Sequence, residues 1–247
     1  MILAIDAGNS RIKWRLTDKA RQIAEGAQLT AKVHEGETLH LSGVKSPDEI
    51  RIANVAGDDV VTGLHKQLLK QFSSPIRYAQ VSSTIGTLSC AYEDPHTLGV
   101  DRWLAIAAAY HQYNQSLMVI DAGSAITIDI IGPDGQHTGG YIVPGLTLMH
   151  DALWKNTSDV RVVGNGTEEL WLPGKNTQQA VNRGCLLAAT STIESLASQF
   201  PVRIVITGGD ANILRQAISL NTEHHSNLVL DGLLLEGVTL ANTVFRD

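Results

Sequence analysis

Three apolar residues lead into Asp-Ala-Gly at two places in the chain, Leu3-Ala-Ile-Asp6-Ala-Gly8 and Met118-Val-Ile-Asp121-Ala-Gly123. A small polar residue follows each, and then a run that tends towards β-branched side chains. The segments 2–6 and 117–121 are short, continuous and rich in Ile, Leu and Val, the pattern of a buried strand. Glycine at 8 or 123 turns the chain back into a second strand, and 22–29 and 136–143 are expected to supply a third in each copy. Solenoid repeats recur every 20–50 residues or so, far closer than these two copies lie. The spacing is that of two copies of one domain fold.

Between the copies the periodicity predicts a strand near 50–55, a helix over 61–72, a strand over 76–81 and a helix from about 101 to 113. Val61, Leu64, Leu68 and Phe72 share one face of the first helix; Trp103, Ala107 and Tyr110 stripe the second. After the second copy comes a long helix over 178–199, striped by Val181, Cys185, Ala188, Thr192 and Leu196. Arg203-Ile-Val-Ile-Thr-Gly-Gly209 reads as a strand ending in paired glycines, and a helix opens at Asp210. A last helix is predicted over 232–245, with Leu234, Val238, Ala241 and Phe245 on one face. Three hairpin strands followed by alternating helices and strands, written twice, make an α/β duplication. The expected domains are 1–114 and 115–230, with a C-terminal helix at 231–247 packing back on the first. No Pro-, Gly- or Ser-rich linker separates the halves, so they are expected to meet around a shared cleft.

Composition narrows the picture. Of 247 residues, 43% are hydrophobic and 18% charged, which excludes a disordered chain. No apolar stretch reaches the roughly 18 residues that cross a bilayer, so no membrane association is expected. Lys and Arg number 19 against 25 Asp and Glu, a net charge of −6 that argues against nucleic acid as partner. Cys90 and Cys185 form no disulfide framework and no metal-ligand spacing, and neither adjoins a His or a basic patch that would activate it. The start, MILAIDAGNS, has an acidic residue at position 6 and no basic segment before an apolar run, so a cytoplasmic location is expected. His34 and His40 lack zinc-site spacing, and His224-His225 reads as a solvated loop. Trp14, Trp103, Trp154 and Trp171 read as packing residues.

Candidate chemistry starts at Asp6-Ala-Gly-Asn-Ser-Arg-Ile-Lys13. Glycine at a strand end lets backbone N–H groups approach an anion, Asn9 and Ser10 add donors, and Lys13 offers a point charge to a phosphate. Asp6, by contrast, suits Mg²⁺. A lone turn of this kind is explained as well by a plain hairpin; its recurrence at Asp121-Ala-Gly-Ser124 favours a phosphate clamp. Counting forward equally from the two Asp residues sets Ile128 where the first copy has Lys13, so the second turn carries no basic residue. Ile206-Thr-Gly-Gly-Asp210 would admit a flat ligand such as a nucleobase or ribose, although glycine is common at such turns for backbone reasons. Neither a P-loop nor a GxGxxG fingerprint is present. Asp101 lies at a predicted helix start, where the dipole favours its ionised form, and Arg102 can grip a carboxylate bidentately. From spacing alone, a capping Asp beside a surface Arg explains the pair more simply.

Together the two phosphate turns and the glycine pair resemble the actin, hexokinase and Hsp70 superfamily. The resemblance narrows at Tyr92-Glu-Asp-Pro-His-Thr-Leu-Gly-Val-Asp-Arg102, which is similar to the Y-x-x-P-x-x-L-G-x-D-R segment of type III pantothenate kinases. DAGNSRIK at 6–13, IDAGSAITID at 120–129, GGYIVPG at 139–145 and NTQQAVNRG at 176–184 resemble that family's other motifs, in its order. Related chains also carry the label Bvg accessory factor. Ser124 departs from the family's usual Thr but keeps the hydroxyl. The resemblance implies duplicated ribonuclease H-like (actin-like ATPase) domains with mixed sheets around a central cleft. It implies ATP with Mg²⁺ bound by Asp6, Ala7, Gly8, Asn9, Ser10, Arg11, Ile12, Lys13 and Ser124. It also implies a monovalent cation, K⁺ or NH₄⁺, at Asp121. Asp101 resembles the proton acceptor; Tyr92, Gly99, Val100, Asp101, Arg102 and Thr177 resemble pantothenate contacts, although a lone Thr before a helix is more often an N-cap. The implied reaction is ATP-dependent phosphorylation of pantothenate to 4′-phosphopantothenate by a homodimer. A phosphohydrolase of the same superfamily and a nucleotide-sensing regulator are the rivals. The first would leave Tyr92 and Arg102 without purpose, and the second would not need Asp101.

Overall fold

The computed structural model describes residues 1–19, 21–154 and 172–242. It divides into two compact units, Met1–Gln112 joined by the chain from Leu228 onward, and Tyr113–Asn227.

In the first unit β1 (Ile2–Ala7), β2 (Arg11–Asp18) and β3 (Arg21–Leu29) form an antiparallel meander, followed by the short α1 (Thr30–His34). β4 (Glu49–Asn54), α2 (Asp58–Gln71) and β5 (Ile76–Gln80) come next, with β4 parallel to β1 and β5 parallel to β4. A small ribbon, β6 (Thr84–Ile85) with β7 (Leu88–Ser89), and a 3₁₀ turn at Pro95–Thr97 lead into α3 (Val100–Tyr113). Leu3, Ile5 and Ile50 alternate along their strands onto the face that α2 covers with Val61, Leu64 and Leu68. α3 is apolar almost all round, and every residue from Arg102 to Tyr110 is buried.

The second unit repeats the plan. β8 (Leu117–Ala122), β9 (Ala125–Ile131) and β10 (His137–Pro144) form the meander, and α4 (Leu146–Trp154) and α5 (Thr177–Gln199) follow. β11 (Arg203–Thr207) lies parallel to β8; α6 (Ala211–Ala217) and β12 (Thr222–His224) complete the unit. The sheet order β10-β9-β8-β11-β12 matches β3-β2-β1-β4-β5 strand for strand. This is the duplicated ribonuclease H-like fold, with mixed sheets in an α/β frame. Its core holds Ile120, Ile126, Ile128, Ile193, Val143 and Leu214.

Three expectations need correction. The helix predicted over 232–245 is absent: α7 (Leu228–Leu233) ends early, and β13 (Thr239–Ala241) pairs antiparallel with β5 as a sixth strand of the first sheet. Gly237, at φ +84°, turns the chain between them, and β-branched Val238 and Thr239 suit the strand. Phe245 lies outside the described residues, as do Trp171 and the side chain of Trp154. His224-His225 is not a solvated loop: His224 ends β12, and the His225 N–H donates to Ile206 O at 3.0 Å. Finally, the buried stripe of α5 runs through Cys185, Leu186, Ala189, Ile193 and Leu196, while Ala188 is exposed. The bulkier Leu186 and Ile193 turn the helix away from the Val181-Ala188-Thr192 face.

Candidate active site

The first of the two Asp-Ala-Gly turns is the loop between β1 and β2. Asp6 stands opposite Lys13 and Ala7 opposite Ile12, while the Gly8 N–H donates to Arg11 O at 3.1 Å. Directly opposed residues share a face of the sheet, so the Asp6 carboxylate and Lys13 ammonium project on the same side. Asn9, Ser10 and Arg11 are exposed at the tip; Ala7 and Ile12 are fully buried and can offer a ligand only their backbone. Behind the turn, Thr30 donates from its N–H to Ser10 O at 3.1 Å and from Oγ1 to Gly8 O at 2.7 Å.

The second turn is one residue tighter. The Gly123 N–H donates to Ala125 O at 2.9 Å, Ala122 stands opposite Ile126 and Asp121 opposite Thr127. The residue that matches Lys13 is therefore Thr127, which corrects the equal-count alignment with Ile128. Ile128 is wholly buried, pairs with Ile120, and is the counterpart of Trp14. A one-residue difference in a strand exchanges its two faces, and counting through the shorter turn crossed that boundary. Ser124 is exposed, and its carbonyl accepts the Gly145 N–H at 3.1 Å.

The glycine pair serves two different ends. Gly208 has φ +99°, and a Cβ there would lie 2.3 Å from Ala122 O and 2.5 Å from Asp121 Oδ1. The chain itself needs glycine at 208 for this close approach, whereas a Cβ at Gly209 would meet nothing within 4 Å. Asp210 follows; burial raises its carboxyl above the ordinary range, and the nearby His150 partly offsets that rise. Burial in turn lowers the His150 pKa, against the opposing fields of Asp151 and Asp210.

Tyr92, Gly99, Asp101 and Arg102 come together at the start of α3. The Asp101 carboxylate accepts the Arg102 backbone N–H at 2.8 Å, folding over Gly99 so closely that a Cβ there would stand 2.7 Å from Oδ1. Arg102 is only 7% exposed, which rules out the surface arginine that spacing alone favoured. Its guanidinium donates to Tyr92 Oη at 3.1 Å and lies 5.9 Å from the ring centroid. Thr177 is the exposed first residue of α5. The N-cap is Asn176, whose side chain accepts the Gln179 N–H at 2.8 Å. Asp121, Ser124 and Thr177 belong to the second unit, the other candidates to the first. Sequence reading passed over Thr30 and the close contact at Gly145. The available signal was positional: both directly follow a third strand.

No group of three or more His, Cys, Asp or Glu among the described residues could hold a metal ion. The donors present fit a divalent ion that arrives with a triphosphate and needs only one or two carboxylates from the protein. On the second turn, Asp121 Oδ1 and Ala122 O both lie close against Gly208. No helix among the described residues is long and apolar enough to cross a membrane.

A model of the type III pantothenate kinase family matches residues 2–199. A type III pantothenate kinase from Teredinibacter turnerae is 36% identical over 245 residues, covering 95% of this chain and 98% of its own. Another from Ectopseudomonas mendocina is 38% identical over 229 residues, covering 88% and 92%. Among solved structures, a Campylobacter jejuni chain described as a Baf family transcriptional activator aligns at TM-score 0.62 and 23% identity, over 94% of each chain. A Sinorhizobium meliloti chain described as a 2-dehydro-3-deoxygalactonokinase aligns at TM-score 0.57 and 15% identity, over 94% of this chain and 97% of its own. These two likenesses bear on the fold alone. The family model and the curated relatives bear on more: the chain belongs to the type III pantothenate kinases, which phosphorylate pantothenate in coenzyme A biosynthesis using ATP and a divalent metal ion.

Proposed function

We propose that Asp101 accepts the proton of the primary hydroxyl of pantothenate as the γ-phosphoryl group of ATP moves to that oxygen, giving 4′-phosphopantothenate. The observation that carries this reading is the arrangement at the head of α3. A carboxylate in the first helical turn, where the dipole favours its charged form, adjoins a buried guanidinium steadied by a phenol. Arg102 receives the carboxylate of pantothenate, Tyr92 orients Arg102, and Gly99 leaves room for Asp101; Val100 and Thr177 complete the contacts. Residues 6–13 take the ATP phosphates, Asp6 through the divalent ion and Lys13 directly, and Ser124 adds a hydroxyl. Asp121 holds K⁺ or NH₄⁺, which supplies positive charge where the second turn has Thr127 in place of a lysine.

We further infer a cytoplasmic homodimer. Tyr141 and Ile142 on edge strand β10, with Leu148 and Leu153 on α4 and Leu187 on α5, are exposed apolar side chains that suit contact with a second copy. Sedimentation at assay concentration reads the dimer directly. For the chemistry, ADP formation is followed with ATP, Mg²⁺, K⁺ and either pantothenate or water. ADP should appear only with pantothenate, and glucose, acetate or polyphosphate should not replace it. Asp101→Asn should lower kcat by roughly 10²–10⁴ with an unchanged melting curve. A positioning-dominated, loose transfer would bring that loss to the lower end. Near wild-type turnover would reduce Asp101 to a helix cap, and equal ADP formation in water alone would make the protein a hydrolase.

A further inference from the structure

The first phosphate turn is held from behind by a residue outside the 6–13 motif. Thr30 is 5% exposed and sits where β3 gives way to α1, making two hydrogen bonds to the turn. Its Oγ1 donates to Gly8 O at 2.7 Å and its N–H donates to Ser10 O at 3.1 Å. The peptide bonds here are trans, since the described chain contains no cis peptide. A trans peptide aims its C=O and N–H in opposite directions. Drawing Gly8 O and Ser10 O onto Thr30 therefore turns the N–H groups of Asn9 and Arg11 away from it.

We propose that Thr30 is a positioning residue for ATP. Its hydroxyl fixes the Gly8–Asn9 peptide so that the Asn9 N–H faces a phosphate oxygen, and its backbone does the same for the Ser10–Arg11 peptide. Preorganised backbone donors are effective because they need no reorientation when the anion arrives. The second unit is built differently, for Gly145 occupies the corresponding place after β10 and has only its N–H to give. Side-chain control of peptide orientation thus belongs to the first turn, the one that carries Lys13. The proposal rests on the reading that residues 6–13 bind the ATP phosphates.

Thr30→Val keeps the β-branched shape and removes the donor, whereas Thr30→Ser keeps the donor. Initial rates measured against ATP and against pantothenate should show the KM for ATP raised about tenfold in Thr30→Val, the size of one lost buried hydrogen bond. The KM for pantothenate should stay within twofold, and Thr30→Ser should restore the ATP value. An unchanged KM for ATP in Thr30→Val, or an equal rise for both substrates, overturns the proposal. Lys13→Ala run alongside separates the two levels. If it too leaves the KM for ATP unchanged, the reading of 6–13 is wrong; if it alone raises that KM, only the role of Thr30 is wrong. Amide exchange on the wild-type protein provides a readout independent of how well the variants fold. A non-hydrolysable ATP analogue should slow exchange at Asn9 and Arg11, and no slowing at either amide also overturns the proposal.

Discussion

The two Asp-Ala-Gly turns begin alike and are finished by different means. Both close on a glycine N–H, and both have a seryl carbonyl tied to the residue after the third strand. The first turn is longer by one residue, sets Lys13 across from Asp6, and is braced by the hydroxyl of Thr30. The second sets the uncharged Thr127 across from Asp121 and is braced by contact between main chains at Gly145. Duplication supplied two equivalent frames, and the side chain opposite the Asp, lysine in one and threonine in the other, gives them different charges. The asymmetry lies in the turns, while the strands match in order and direction.

The largest effect is expected where main chains touch. A Cβ at Gly145 would fall 2.3 Å from Gly123 O and 2.5 Å from Ser124 O, so Gly145→Ala forces the second turn apart. A loss of about 3 kcal/mol in urea unfolding is expected, at the upper end of overpacking costs. No loss would mean that the turn gives way freely. Next comes the charge of the first turn: Lys13→Ala should lower kcat/KM for ATP about 10- to 100-fold, the range for a hydrogen bond to a charged group. The unchanged kcat/KM of such a variant would remove the main chemical distinction between the turns.

Smaller changes probe the cation. Asp121→Asn should flatten the rise of activity with K⁺ more than Asp6→Asn does, by several-fold in the concentration needed for half-activation. Thr127→Lys copies the Asp6–Lys13 pairing into the second turn and should make activity independent of K⁺, with its own ammonium in the cation's place. A Thr127→Lys enzyme with a wild-type K⁺ titration would show that the cation acts elsewhere. The smallest effect concerns Asp210, beside the second turn. Burial raises its folded-state pKa above the unfolded one, so the folded protein binds more protons over that window and stability falls as pH rises through it. Above that window the cost is fully present, and Asp210→Asn should melt slightly higher than wild type there. Well below the ordinary Asp pKa of about 3.9 the folded and unfolded forms are both neutral at this position and the difference should vanish. A gap that persists in acid would assign the effect to something other than ionisation.

The strands, their order of appearance and most helix positions were legible because β1 and β8 are short, continuously apolar runs and the α2 stripe is clean. What escaped depended on tertiary partners. Leu234, Val238 and Ala241 are spaced like a helix, yet β5 presented an open edge that Thr239–Ala241 completes. Ile128 looked equivalent to Lys13 because chain counting cannot see a turn shortened by one residue. Tyr92, Asp101 and Arg102 were readable through family resemblance, whereas the burial of Arg102 was not, since burial depends on distant packing that nothing local shows. Thr30 was invisible for a related reason: its hydrogen bonds reach residues about twenty positions back, at the far end of a three-strand meander.

The sixth strand of the first sheet has a consequence for how the protein is made. β13 pairs with β5, α7 packs on β1 and β4, and Arg15 bonds to Asp231, so the first unit is completed by residues synthesised after the second. The whole of Tyr113–Asn227 leaves the ribosome in between. Folding in order of synthesis would therefore finish the second unit first, with the open edge of β5 still an unpaired template. Until that edge is filled it is available to any extended segment nearby. A nascent chain stalled before Leu228 would expose it for as long as the stall lasts.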